Sequence, residues 1–324
     1  MNQWLNNFFK LEENKTTVKR EVMAGITTFM TMAYILIVNP DILSATGMDF
    51  GALITATALA AVIGTLFMGI FANYPFALAP GMGLNAFFAF VVVLQMGYSW
   101  QMALAAIFVE GIVFIILSIL NIREALFNSI PMNLKKAVSV GIGLFITFIG
   151  LQNAGIVIND DATLVSMGDL TNIAVVLAVV GVVITGFLLA KKVKGAILWG
   201  ILITYGLGLL AQLTGLYAVN PDAGMFSLIP EGIVSAPPSI EPILFQFDFS
   251  QLFTIDFLIV VFTFLFVDLF DTLGTLIGVS SKAGFLDKEG KLPRIKQALM
   301  ADAVATTAGA ALGTSTTTTY VESA

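Results

Sequence analysis

Apolar segments long enough to cross a bilayer follow one another along most of this chain. Each covers roughly 17–25 residues, the length that an α-helix needs to span the hydrocarbon core. A soluble domain could not bury so many such segments, and a content of 58% hydrophobic and 11% charged residues agrees with that exclusion. The sequence therefore predicts an all-α polytopic membrane protein, with spans near 22–43, 51–72, 76–95, 100–120, 134–153, 171–190, 195–216, 254–277 and 297–313, and a tenth beginning at 314.

The basic residues indicate how these spans are oriented. All 15 Lys and Arg residues fall into groups between alternate spans, at 10–20, 123–136, 191–194 and 282–296. Because cytoplasmic loops are enriched in Lys and Arg, we expect a cytoplasmic N-terminus and a multi-pass protein of the bacterial inner membrane. The basic residues are used for topology, so the sequence does not indicate a nucleic-acid partner.

Two of the apolar segments cannot be plain helices. The stretch YPFALAPGMGLNAFF (74–88) contains Pro75, Pro80, Gly81 and Gly83, and we expect Pro80 to occupy the first position of a new helix. The stretch GTSTTTTYVESA (313–324) contains a run of β-branched Thr, which favours extended backbone, and then Glu322. Two interrupted spans far apart in a hydrophobic chain indicate a transporter site, where half-helices meet a substrate near the middle of the bilayer. The alternative is a pair of ordinary kinked helices with polar packing residues.

Five carboxylic acids lie in the predicted spans away from the first and last three residues of each, and an acid at the centre of a span costs roughly 2.5–3.5 kcal/mol on insertion scales. They are Glu110, Asp268, Asp271, Asp302 and Glu322. Asp268 and Asp271 are three residues apart and lie on nearby faces of one helix, so we expect at least one of them to hold a proton near neutral pH. Asp268 could instead brace a neighbouring broken helix, and Glu110 and Asp302 are expected to form hydrogen bonds between helices.

The residue types that are missing narrow the function further. The chain has no Cys and no His, so carboxylates are left as the proton carriers, and a membrane-embedded enzyme has no nucleophile and base pair. Basic residues are absent from the interior of the spans, which disfavours a site that holds a free anion. A neutral, planar heterocycle fits better, because carboxylates accept from ring N–H groups and the backbone at helix starts donates to a carbonyl.

Four stretches resemble one family closely: VMAGITTFMTMAYILIVNPDIL, APGMGLNAFF, FVDLFDTLGTLIGV and GTSTTTTYVESA. They are similar to the adenine/guanine/hypoxanthine permeases, the AzgA-like branch of the nucleobase-cation symporter superfamily, over essentially the whole chain. The resemblance implies fourteen spans arranged as two inverted seven-span repeats, with short antiparallel strands in broken spans 3 and 10. It also implies that this sequence, with about nine and a half spans, is truncated at its C-terminus.

The resemblance also implies roles for particular residues. Asp271 and Gly274 match the pattern of span eight, whose acid contacts the base, and Tyr320, Glu322 and Ser323 match the pattern of span ten. Asn85 in span three is implied to shape the site. The expected substrate-binding residues are Asp271, Glu322, Asn85, Gly83, Thr275, Tyr320 and Ser323, and the expected proton-coupling residues are Asp271, Glu322 and Asp268.

These observations lead to one functional hypothesis and its rivals. We expect a secondary transporter for proton-coupled uptake of guanine, hypoxanthine or adenine, without a resident cofactor or metal; coupling to Na⁺ and formation of a homodimer stay open. The alternatives are an anion carrier of the same architecture, of the sulfate or bicarbonate type, and a channel or non-transporting membrane protein. The expected organisation is a cytoplasmic segment 1–21, core spans 22–121, gate spans 122–216, an outer loop 217–253 and core spans 254–324.

Overall fold

The computed structural model of the chain describes residues 2–123, 125, 131–220, 225–230, 232 and 235–323. The chain divides into two compact units. The large unit comprises residues 1–28, 34–142 and 237–324, and the small unit comprises residues 29–33 and 143–236.

Helices dominate the described residues. Before the first strand they are α1 (Asn2–Phe9), α2 (Val18–Met32), α3 (Ile35–Ser44) and α4 (Phe50–Phe67), the last continued by a π-helical turn, Met68–Ala72. Strand β1 (Leu78–Pro80) precedes α5 (Met82–Ala86), a π-helical stretch (Phe87–Gln95) and α6 (Trp100–Ile119). The rest are α7 (Met132–Asn153), β2 (Val157–Asp160), β3 (Leu164–Met167), α8 (Ile173–Ala190), α9 (Ala196–Leu213), α10 (Ile255–Ala283), α11 (Ile295–Leu312), β4 (Thr317–Thr319) and a 3₁₀ turn, Val321–Ser323.

Six helical stretches among the described residues are long and apolar enough to cross a membrane, so the predicted polytopic helical architecture is confirmed. They are Val18–Ser44, Phe50–Ala72, Trp100–Ile119, Ile173–Ala190, Ala196–Leu213 and Ile255–Ala283. Three other predicted spans differ from the expectation. The span at 76–95 is a strand followed by the shorter helix Met82–Gln95, and the one at 134–153 has its apolar part in the short segment Gly143–Asn153. The span at 297–313 corresponds to α11, which is rich in small and polar residues.

Side-chain caps define where several helices begin. The carboxylate of Asp49 accepts a hydrogen bond from the Ala52 amide at 2.7 Å at the start of α4, and the Thr254 hydroxyl accepts one from the Phe257 amide at 3.2 Å at the start of α10. These bonds satisfy amide groups that the first turn of a helix leaves unpaired. At the other end, α11 stops at Gly313, whose φ of 91° few other residues adopt.

The two interrupted segments come together as the short antiparallel strands that the resemblance implied. Leu78 pairs with Thr319, Ala79 with Thr318 and Pro80 with Thr317. The expectation for Pro80 was wrong, because Pro80 ends β1, Gly81 is the N-cap and the helix begins at Met82. The reason is the pairing itself, since the Gly81 amide donates to the Thr316 carbonyl at 2.9 Å and extends the ladder past Pro80.

Two buried apolar clusters support this strand pair within the large unit. One contains Leu53, Phe88 and Phe264, and the other contains Met68 and Leu78. Leu78 belongs to β1 and is completely buried. The strand is therefore anchored by a side chain as well as by its backbone.

The small unit contains α8 and α9, which pack through glycines. A methyl group at Gly181 would lie 2.5 Å from the Thr204 hydroxyl oxygen, and one at Gly200 would collide with Thr185 on the other helix. This reciprocal arrangement lets the two helix backbones approach closely. The hairpin β2–β3 belongs to the same unit, and there the Thr163 amide and hydroxyl and the Ala162 amide lower the pKa of Asp160.

Candidate functional site

The paired strands and the residues directly after them form a structure that we call the strand crossing, residues 77–81 and 316–320. Besides the ladder itself, the Tyr320 amide donates to the Ala77 carbonyl at 2.9 Å, and the Tyr320 hydroxyl donates to the Pro80 carbonyl at 2.6 Å. Polar backbone groups inside a membrane must be satisfied by the protein. The strand crossing meets this requirement on both segments.

Side chains of the Thr run connect the strand crossing to several helices. Hydroxyl-bearing residues suit this task, because they tolerate extended backbone and can both donate and accept. The pairs are Thr314 with Asn39 of α3, Ser315 with Asn85 of α5, Thr316 with Glu110 of α6, and Thr318 with Thr272 of α10. The Thr306 hydroxyl of α11 donates to the Thr317 carbonyl at 3.0 Å. The sequence run predicted to be extended is thus bonded to five helices.

Asp271 lies beside the strand crossing. A methyl group at Gly81 would be 3.7 Å from Asp271 Oδ2 and 2.7 Å from the Thr318 methyl carbon, so glycine allows α10 and the two strands to meet here. The Thr275 hydroxyl, one turn further along α10, donates to the Asp271 carbonyl at 2.9 Å. The Thr275 side chain therefore bonds its own helix, and its predicted contact with substrate stays a prediction.

Glu322 lies in the 3₁₀ turn that follows β4, and this turn contacts α10. The Tyr34 hydroxyl donates to Glu322 Oε1 at 2.5 Å. The neighbouring Ser323 hydroxyl accepts a hydrogen bond from the Ala77 amide at 2.9 Å, which ties the turn to the start of β1. One carboxylate oxygen of Glu322 is consequently held by a phenol from the first predicted span.

Asn85 and Gly83 lie on α5, immediately after the strand crossing. Asn85 is fully buried, and its side-chain oxygen accepts from the Ser315 hydroxyl. Its amide nitrogen has no hydrogen-bond partner among the described residues. A buried amide donor of this kind is costly unless something accepts from it.

The structure brings most of the predicted substrate-binding residues together. Tyr320 is close enough to Asp271, Glu322 and Tyr34 to interact electrostatically with all three. Asn85 and Ser323 hydrogen-bond to either side of the strand crossing. A cavity of about 380 Å³ in the large unit lies elsewhere, and its lining includes none of the predicted site residues but does include Leu5, Phe9, Tyr74, Phe285 and Arg294.

Asp268 belongs to a different environment from Asp271. It is fully buried, accepts from the Thr272 hydroxyl at 3.1 Å and lies 3.7 Å from a guanidinium nitrogen of Arg123. Arg123 forms a closer ion pair, 2.8 Å, with Asp302 of α11. The predicted proton-coupling residues are therefore divided between the strand crossing and this ionic cluster.

Sequence reasoning missed Arg123, which was assigned to a cytoplasmic loop as part of the group at 123–136. The structure buries it completely. The carboxyl groups of Glu110, Asp268 and Asp302 were the available signal, because buried acids on neighbouring helices need a cation or protons. The topology rule assigns Lys and Arg to loops by default and gives no reason to expect a fully buried side chain.

Comparisons with family models and with curated proteins point to the same family. The family model described as "Permease family" (Xan_ur_permease) matches residues 19–324. The chain is 51% identical over 322 residues to a Methanocaldococcus jannaschii protein named as a permease without a substrate, covering 99% of this chain and 71% of that protein. It is 44% identical to the adenine permease AdeP of Escherichia coli, with 98% and 68% covered, and 44% identical to the guanine/hypoxanthine permease PbuG of Bacillus subtilis, with 98% and 72% covered.

A solved structure shares the fold. The transmembrane domain of a cyanobacterium bicarbonate transporter, BicA, aligns with a TM-score of 0.60 at 17% identity, covering 94% of this chain and 74% of that one. At this identity the likeness concerns the fold alone. It agrees with the polytopic transporter fold predicted from the sequence.

Proposed function

Because this chain belongs to the permease family, we propose that it carries purine nucleobases across the bacterial inner membrane, with its N-terminus in the cytoplasm. The observation that carries the proposal is the strand crossing, which has the Asp271 carboxylate beside Gly81 and the Glu322 carboxylate in the turn after β4. The names of the relatives, adenine permease and guanine/hypoxanthine permease, support the choice of purines.

The donors and acceptors at the strand crossing suit a purine. Carboxylate oxygens of Asp271 and Glu322 accept hydrogen bonds from ring N–H and exocyclic amine groups, and the unpaired Asn85 amide donates to a ring nitrogen or carbonyl. Tyr34 holds Oε1 of Glu322, and we assign Oε2 to the substrate. Tyr320, Ser323, Gly83 and Thr275 belong to the same region and complete the proposed binding set.

We further propose that a proton accompanies the base. A carboxylate at the strand crossing, on Asp271 or Glu322, would accept the proton together with the substrate, which removes a charge from a desolvated site while the base is bound. We include Asp268, whose carboxyl lies 3.7 Å from a guanidinium nitrogen of Arg123, as a further proposed proton-coupling residue. The coupled ion proposed is H⁺, and Na⁺ is the competing choice that the test below distinguishes.

Uptake measurements test this function. Cells without their own purine uptake, expressing the chain, should accumulate radiolabelled adenine, guanine or hypoxanthine saturably, and a protonophore should abolish that accumulation while removal of Na⁺ should not. Uracil, sulfate and bicarbonate serve as competing solutes. Uptake of an anion without purine uptake, or conductance without saturation, would contradict the proposal in favour of a carrier or a channel of another specificity.

Glu322→Gln gives a sharper test. The Tyr34 hydroxyl would donate to the Gln side-chain oxygen, so the Gln amide nitrogen takes the place of Oε2 and faces a donor on the base. Each mismatched hydrogen bond costs about 1–3 kcal/mol, or roughly 5- to 150-fold in affinity. The double variant Tyr34→Phe with Glu322→Gln should regain part of the loss, because the amide can then rotate. Glu241→Gln, at an exposed acid, is the control. Unchanged purine affinity in Glu322→Gln would remove Glu322 from the site.

The shared fold does not by itself choose the substrate class, since a bicarbonate transporter has it too. The buried guanidinium of Arg123 is the group that would be expected to bind an anionic substrate. Its two terminal nitrogens, however, already contact the Asp302 carboxylate at 2.8 Å and the Leu299 carbonyl at 2.9 Å. A site for a neutral heterocycle at the strand crossing therefore agrees better with the charges in the large unit.

A further inference from the structure

The proposed substrate chemistry makes no use of Arg123, although its side chain is held by many contacts. Nη1 donates to the Leu299 carbonyl at 2.9 Å, and Nη2 donates to Asp302 Oδ2 at 2.8 Å. The ring of Phe114 covers the guanidinium, with its centroid 3.8 Å from the central carbon. Burying an arginine is costly unless such partners are present, so this set of contacts fixes the side chain in one place.

The contacts of Arg123 continue to the strand crossing. Asp302 Oδ2, which binds Arg123, also accepts from the Thr272 hydroxyl at 2.9 Å. The Thr272 oxygen is in turn 3.4 Å from the Thr318 hydroxyl oxygen in β4. Thr272 directly follows Asp271 in α10, so one short path of hydrogen bonds joins Arg123 both to β4 and to the helix turn that carries the proposed substrate acid.

We propose that Arg123 is a positioning residue for the purine site. It holds Asp302 and Thr272 in place, and through them it fixes where Thr318 and Asp271 stand at the strand crossing, without touching the substrate. The inference rests on the proposed function, because the substrate is the purine assigned there. It adds a residue from the end of the fourth predicted span to a site otherwise built from the two broken segments.

Charge alone does not explain why an arginine occupies this position. Carboxyl groups face the guanidinium from three helices, namely Glu110 from α6, Asp268 from α10 and Asp302 from α11. A lysine could neutralise one of them. The planar fork of arginine reaches a carboxylate and a backbone carbonyl of α11 with two separate nitrogens in a fixed geometry, which the single nitrogen of lysine does not reproduce. The change Arg123→Lys therefore keeps the charge and removes the positioning.

The test compares Arg123→Lys with Thr272→Val, which breaks the same path without changing any charge. We expect each variant to reach the membrane and to raise KM for purine uptake about tenfold, equivalent to ~1.4 kcal/mol, with a smaller change in maximal rate. The double variant should also show about a tenfold effect, because both changes interrupt one path. Lys296→Gln is the control, since Lys296 is a partly buried base on α11 whose ammonium donates to the Ile119 carbonyl at 3.4 Å, outside the path from Arg123 to β4.

A second readout does not depend on the substrate. The chain contains no cysteine, so Val321→Cys, at a half-exposed position beside Glu322, introduces its single thiol. The rate of maleimide labelling should change when Arg123→Lys or Thr272→Val is added. Changed labelling without purine uptake by the parent protein supports the positioning role and contradicts the proposed function.

Unchanged KM and unchanged labelling in both variants would overturn the inference. So would a double variant whose rise in KM equals the product of the rises caused by Arg123→Lys and Thr272→Val alone. If Arg123→Lys fails to reach the membrane, Thr272→Val decides. A raised KM with altered labelling then supports the positioning path, and parent-like values refute it.

Discussion

Substituting Gly81 with alanine tests whether the strand crossing must be as tight as the structure shows. Gly81 has φ −78° and ψ 123°, which alanine adopts without strain, so the backbone is not the obstacle. The added methyl would lie 2.7 Å from Thr318 Cγ2, whereas carbon atoms normally approach to about 3.5–4.0 Å. One of the two groups must move by roughly 1 Å.

The surroundings determine how large the penalty is. Thr318 is paired with Ala79 through the backbone and lies 3.4 Å from the Thr272 hydroxyl oxygen, so it cannot move freely. Overpacking of this kind costs about 1–3 kcal/mol, and the entropic benefit of replacing glycine returns about 0.4–1 kcal/mol. At the middle of both ranges the net cost is about 1.3 kcal/mol. Since Asp271 Oδ2 is 3.7 Å from the added methyl, we expect the cost to appear in purine affinity, as roughly a ninefold rise in KM.

The assay is purine uptake together with thermal unfolding of the purified protein. Thr318→Ser removes the colliding methyl and keeps the hydroxyl, so the double variant Gly81→Ala with Thr318→Ser should recover most of the loss. Gly69→Ala is the matched control, because no atom outside its own helix lies within 4 Å of the added methyl. A Gly81→Ala protein with normal KM, or one that Thr318→Ser does not rescue, would refute the steric reasoning.

Three further substitutions have expected outcomes that thermal unfolding in detergent can check. Asp302→Asn removes the closest partner of the buried Arg123 and should cost about 3–5 kcal/mol, whereas Glu289→Gln, at an exposed pair, should change nothing; equal melting temperatures would contradict this. Asn39→Leu leaves two buried threonine hydroxyls without their donor and should cost about 1–3 kcal/mol, so an unchanged melting temperature would be unexpected. Asp49→Ala removes the cap of α4 and should cost about 1 kcal/mol, while Asp49→Asn should retain most of it.

The sequence allowed the architecture and the family to be predicted, and both are confirmed. The reason is that bilayer length and hydropathy leave few ways to fold such a chain. The strands in the broken segments were predicted from the resemblance, and the Thr run together with Pro80 gave a physical reason for interrupted helices. The roles of Asp271 and Glu322 stay predictions, although the structure places their helix and turn in contact.

Long-range contacts could not be predicted in the same way. The predicted start of the helix, at Pro80, was two residues too early. Where the strand ends is decided by the pairing of Gly81 with Thr316, which lies 235 positions away in the sequence. Arg123 was assigned to a cytoplasmic loop because loops near span ends usually hold the basic residues, and its burial was not predicted. Its partners, Asp268 and Asp302, come from helices far along the chain, and no local pattern links them to it.

The outer edges of the two strands explain how so short a sheet persists inside a membrane. A two-stranded pair is marginal by itself, and lipid offers no hydrogen bonds to its free edges. The Thr65 hydroxyl of α4 accepts from the Leu78 amide at 3.0 Å, and the Thr306 hydroxyl of α11 donates to the Thr317 carbonyl at 3.0 Å. Each strand is thus completed by a threonine from the helix that precedes it in sequence. Both broken segments thus satisfy the outer backbone groups of their strand with a helix threonine, as inverted repeats of one unit would. The position of the proposed purine site is therefore set by the packing of α4 and α11 on the two sides of the strand crossing.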